Sequence, residues 1–157
     1  MSGEFTHLDE SGAARMVDVS AKDVTVRTAT ATGFVHLSGE CMKALRSGDV
    51  PKGDALAVAR IAGIQAAKRT PDLVPLCHPI AIHAASVTLT LAEDGVRISA
   101  MVRTADRTGV EMEALTSVSV AALTLIDMVK AIDPGAVITD VRVEEKTGGK
   151  TGLWRRS

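Results

Sequence analysis

Four charged residues in one stretch set the first problem. Glu111 and Glu113 stand near the start of VEMEALTSVSVAALTLIDMVK, and Asp127 and Lys130 stand at its end. Asp127 and Lys130 are three apart, which puts them on one helical face and lets them pair, although exposed pairs of this kind are common and weak. Glu113 has an ordinary explanation as well, because acids are favoured in a helix's first turn. If the stretch is one helix, Glu113 and Asp127 lie about 21 Å apart along its axis, too far for one small substrate to touch both. Either the two ends do separate jobs or a second chain brings them together.

His78 lies in PLCHP, beside Cys77, in a segment with prolines at 71, 75 and 79. Proline fixes φ and extends the residue before it, so this loop should be stiff and present its side chains at set angles. A lone loop histidine is usually just hydrogen-bonded to backbone, and His83, five residues on, has the wrong spacing to share a zinc ion. No CxxC or HxxxH pattern occurs, which argues against a protein-bound transition metal. The segment EKTGGKTG resembles a phosphate-binding loop but has Glu144 where that motif needs glycine, and too little chain after Lys150 for its helix. What remains is a flexible glycine segment carrying Lys146 and Lys150, able to offer backbone N–H groups and ammonium charge to phosphates. Lys52, in PKGD, and Lys68 and Arg69, in AAKRTPD, flank a helix rich in small residues; surface lysines are usually only solvated. Together these residues supply carboxylates, lysines and one histidine without a metal. That set suits proton transfer on an anionic substrate.

The elements that must position them follow from pattern. Residues 1–20 are polar without a steady period and suggest an arm lying over the domain or a neighbour. Residues 25–37, TVRTATATGFVHL, are β-branched and predict a strand broken near Gly33. A short helix over 38–46 precedes a turn. Asp54 caps a second helix over 55–69, where Ala55, Ala59, Ala62, Gly63, Ala66 and Ala67 leave a smooth flank for close packing. Strands over 80–92 and 95–105 meet at EDG, a hairpin signal, and their shifted parity predicts a bulge near Ala85. Thr108 and Glu111 have capping-box spacing at the start of the long helix, which stops at Asp133 to Gly135. A last strand over 136–145 leads into a tail over 146–157. Antiparallel hairpins with helices on one face make an α+β sandwich. The stretch 118–126 is apolar over most of its circumference and needs more cover than one domain supplies, which points to a homo-oligomer.

The totals narrow the classes further. A chain of 157 residues, 46% hydrophobic and 24% charged, is long enough for one domain with a core. With 18 basic and 19 acidic residues it has no basic field for nucleic acid, and two Phe, one Trp and no Tyr leave little for bases to stack on. Two cysteines and a start without a basic-then-apolar segment fit a reducing cytoplasm, and no apolar run is expected to reach the roughly 20 residues of a membrane span.

The blocks MVDVSAK, KGD, ARIAGIQAAKRTPDLVPLCHP, TGVEMEALTSVSVAAL, DMVKA and KTGGKTG occur in this order from about Thr6 to Gly152. Together they resemble the cyclic pyranopterin monophosphate synthases, the C proteins of molybdenum-cofactor biosynthesis. The resemblance implies a ferredoxin-like α+β fold, assembled from dimers into a hexamer with active sites at subunit interfaces. It implies rearrangement of a cyclised GTP into cyclic pyranopterin monophosphate with release of diphosphate. Matched position by position, it makes Leu76, Cys77, His78, Met112, Glu113 and Lys150 substrate-binding, and Asp127, Lys130, Lys146 and Lys52 catalytic. Lys146, paired with Asp127, is the expected acid/base. No cofactor is implied, although Mg²⁺ could accompany the triphosphate. The rival from another class is an oligomer that senses GTP-like nucleotides without turning them over.

Overall fold

The computed structural model describes residues 6–157. Its elements run β1 (Thr25–His36), α1 (Gly39–Ser47), α2 (Ala55–Lys68), α3 (Thr70–Leu73), β2 (Ala84–Leu91), β3 (Gly95–Asp106), α4 (Glu111–Val129), β4 (Val137–Thr147) and β5 (Trp154–Arg155). The strands form one sheet in the order β2-β3-β1-β4-β5, with every neighbouring pair antiparallel. With β5 set aside, this is the ferredoxin-like arrangement, an α+β fold with its long helices on one face of the sheet.

Alternation decides which face carries the helices. Along β1, Ala29, Ala31, Gly33 and Val35 are buried while their neighbours are less so, and Val96, Ile98, Ala100 and Val102 repeat the pattern on β3. Helix α4 lies on this face. A Cβ at Gly33 would come within 2.7 Å of Val118, so strand and helix touch where the strand has no side chain. Strand β1 is not broken there, contrary to expectation. The irregularity falls on β4, whose pairing with β1 shifts twice, and Asp140 takes a φ of 56° at one shift.

The smooth flank of α2 packs as its residues suggest. Ala55, Ala59, Gly63, Ala66 and Ala67 are buried, and a Cβ at Gly63 would lie 3.0 Å from the Ser117 carbonyl oxygen and 3.2 Å from the Ala121 Cβ of α4. Asp54 caps α2 by accepting from the Ala57 amide at 3.1 Å. The DPG stop of α4 has a second use. Asp133 accepts from the Gly135 amide at 3.0 Å and the Ser38 amide at 2.7 Å, tying the helix exit to the start of α1.

Three local expectations are corrected. Strand β2 begins at Ala84 and pairs with β3 without a shift, so no bulge forms near Ala85; residues 80–83 precede the strand, which removes the parity conflict. The capping box does not form, because α4 starts after Val110 with no side-chain cap and the Glu111 carboxylate turns elsewhere. The glycine-rich tail is also more ordered than its composition suggests: Gly148 and Gly149, at φ 93° and 72°, reverse the chain so that Trp154 and Arg155 pair with Lys146 and Glu145.

Helix α4 is 19 residues long with a mean hydropathy of 1.5, so by length and composition it could cross a membrane, which the sequence pattern did not suggest. In this fold it is the central helix, with Ala114, Val118, Ala121 and Leu125 fully buried.

Candidate active site

The fold assigns the residues singled out in the sequence to the two ends of α4. At its first turn, the proline loop and the helix meet around a 410 Å³ cavity lined by Leu76, Cys77, His78, Met112 and Glu113 together with arm residues. Helix α3 takes up Thr70–Leu73, so the stiff part of the loop begins after it. His78 donates from Nε2 to the carbonyl of Val17 in the arm.

Glu113 is only 3% exposed. Burial, aided by the negative charge of Glu111, pushes its carboxyl up to about 7, with its own backbone N–H working in the opposite direction. Burial raises the Cys77 thiol too, and nearby Glu113 adds to that, so Cys77 is an uncharged lining group.

A larger cavity of 610 Å³ adjoins the first and shares Lys22, Gly109 and Glu111 with it. Lys146, Lys150, Gly148, Gly149 and Arg27 complete its cationic wall. Lys146 pairs across from Ala29 in the sheet, so it takes the inward face and meets Glu111 at 2.9 Å. Gly109 leaves room for that carboxylate, since a Cβ there would strike it. Gly149 likewise leaves room for the Arg27 guanidinium, whose Nε donates to the Asp106 carbonyl at 3.1 Å.

The other end of α4 holds a separate cluster. Asp127 accepts from Lys130 at 2.9 Å and from Lys52, in the turn before α2, at 3.1 Å. These two ammonium groups hold the Asp127 carboxyl below its ordinary value. Lys146 therefore pairs with Glu111 and not, within one chain, with Asp127. Glu111 and Asp127 are 16 positions apart on one rod, about 24 Å, so a lysine seated on the first does not reach the second.

The family model described as "MoaC family" matches residues 16–149. The chain belongs to the MoaC family. It is 69% identical over 153 residues to a protein of Streptomyces avermitilis named cyclic pyranopterin monophosphate synthase, covering 98% of this chain and 90% of the relative. A Nocardioides protein of the same name is 66% identical over 155 residues, 97% of this chain and 95% of the relative. Cyclic pyranopterin monophosphate synthase 2 of Mycobacterium tuberculosis is 57% identical over 155 residues, with 99% and 93% covered.

Sequence reasoning missed two cations in this family member. Arg27 shares the parity of Ala29, Ala31 and Val35, so a charged residue stands where alternation calls for an apolar one, and that was a readable signal. Lys22 lies in an aperiodic segment and gave none. Among the described residues, no group of three or more His, Cys, Asp or Glu side chains is arranged to hold a metal ion.

Proposed function

We propose that this protein converts 3',8-cyclo-7,8-dihydroguanosine 5'-triphosphate to cyclic pyranopterin monophosphate, releasing diphosphate, as the lyase of this step in molybdenum-cofactor biosynthesis. The observation that carries the reading is near full-length identity of 66–69% to relatives that bear the synthase name. The geometry supports it independently, because a cationic cavity adjoins one lined by His78, Cys77 and Glu113.

A triphosphate brings about four negative charges, and several cations must converge before it binds favourably. Lys146, Lys150, Lys22 and Arg27 form such a wall around the 610 Å³ cavity. The base and ribose then fall to the smaller cavity. A carboxyl that titrates at about 7, as Glu113 does, gives and takes protons with comparable ease at neutral pH. Diphosphate departs once its charge is neutralised. Any Mg²⁺ arrives on the triphosphate, since of the two carboxylates lining the larger cavity, Asp23 and Glu111, the second is committed to Lys146.

Asp127, Lys130 and Lys52 are the remaining chemical groups, and one chain holds them at the far end of α4. We assign them to a neighbouring copy's pocket. The outward sides of α2 and α4 carry exposed Val58, Ile61 and Leu123, an apolar surface suited to a second copy. A two-fold axis perpendicular to α4 runs two copies of it antiparallel, which sets the Asp127 end of one beside the Glu113 end of the other, and this is the axis we assign. We take the assembly to be a trimer of such dimers, in the cytoplasm, where both cysteines, unpaired here, stay reduced.

Incubating the purified protein with the cyclised GTP while following diphosphate and pterin product tests the reaction. Both should appear, and Asp127→Ala should abolish them while ligand still binds. Ligand that binds and remains intact would favour the nucleotide-sensing rival. Mixing Glu113→Ala with Asp127→Ala protein tests the shared pocket: exchange of subunits should restore activity, and none despite proven exchange would refute it.

A further inference from the structure

Residues 6–24 form no helix or strand beyond an isolated bridge between Leu8 and Ala14. Among the described residues, side-chain hydrogen bonds from His78 to the Val17 carbonyl and from Arg107 to the Lys22 carbonyl tie this arm to the body. The second tie is 3.1 Å long and comes from Nε of an exposed arginine that bonds backbone, not a carboxylate. Between the ties runs the segment 17–22, and Lys22 at its end lines both cavities.

Arg107 is itself well placed for this. Its amide donates to Asp106 Oδ1 at 2.7 Å, and the Asp106 carbonyl receives Arg27 Nε at 3.1 Å. One turn at the end of β3 therefore fixes a cation of the body, Arg27, and the backbone of a cation of the arm, Lys22.

We propose that Arg107 is a positioning residue that holds Lys22 at the polyphosphate end of the site by gripping its carbonyl. It touches no substrate atom; it acts through Lys22. The proposal rests on the function above only for the identity of the anion. Without the grip, Lys22 hangs from an arm held at Val17, and ordering it again on binding opposes association. A single backbone conformer lost in this way weakens binding about tenfold.

The test is a double-mutant cycle on the full chain, with inorganic triphosphate as the probe in calorimetric titration. Arg107→Met and Lys22→Met should each weaken binding about tenfold, and the double variant should match Lys22→Met within about twofold. Arg107→Lys should restore most of the loss. With the cyclised GTP, Arg107→Met should raise KM and leave kcat within about twofold. Losses that multiply in the double variant, wild-type binding by Arg107→Met, or a loss that follows a lowered Tm and is not recovered by Arg107→Lys would each overturn the proposal. If the wild type turns over no cyclised GTP yet the triphosphate cycle closes as stated, the function fails and the positioning role stands.

Discussion

Glu113 offers the sharpest physical test, through Glu113→Gln. In the folded chain its carboxyl titrates at about 7, against an ordinary value of 4.5, because burial at 3% exposure disfavours the charged form. Between those values the folded state holds a proton that the unfolded state has released. Stability is therefore fully present below about 4.5 and is lost as pH rises towards 7, the reverse of a salt-bridged carboxylate. The rise from 4.5 to about 7 corresponds to about 3 kcal/mol in all, most of which falls between pH 5 and 8. Glutamine is near in shape to the protonated acid and does not titrate. Urea unfolding of both proteins, followed by circular dichroism at fixed protomer concentration from pH 5 to 8, should show the variant gaining on the wild type by that amount. A difference flat to within about 0.5 kcal/mol across the range would show that Glu113 ionises as an ordinary acid, and the proton-transfer role given to it would lose its basis.

Three further outcomes follow from the same structure. Lys146→Met removes the partner of Glu111 and one wall of the larger cavity, so triphosphate binding should fall about tenfold while stability changes by less than about 1 kcal/mol; titration calorimetry and urea midpoints check the two halves separately. Gly63→Leu drives a side chain into Ser117 and Ala121 at the α2–α4 contact and should cost about 1–3 kcal/mol by urea unfolding, whereas wild-type stability would mean that the helices are less tightly packed than they stand here. Leu123→Asp places a charge on the exposed apolar side of α4 and should reduce the mass measured by sedimentation and abolish turnover, with the circular dichroism spectrum retained; an unchanged mass would remove that face from the assembly.

What was legible in the chain was whatever depended on local periodicity. The β-branched run that forms β1, the small-residue flank around Gly63, the cap at Asp54 and the turn before Gly95 all report neighbours within a few residues, and the structure keeps them. Glu111 shows where that reading stops. Its spacing from Thr108 satisfies a local rule, but Lys146 approaches from a strand 35 positions on, brought there by the Ala29 register, and a charged partner at 2.9 Å outcompetes a backbone amide. No pattern within a short window contains that strand. The same holds for the tail, where two glycines suggest freedom until Val26 and Arg27 crowd them into one path. The clusters at the ends of α4 carry this limit into the site itself. A helix keeps its ends apart at a fixed rise, so the 14 positions from Glu113 to Asp127 were already a statement about distance. The partner for each end had to come from loops, arm and strand far away in sequence, as Lys52, His78 and Lys146 do, and for the site as a whole we look to a second copy of the chain.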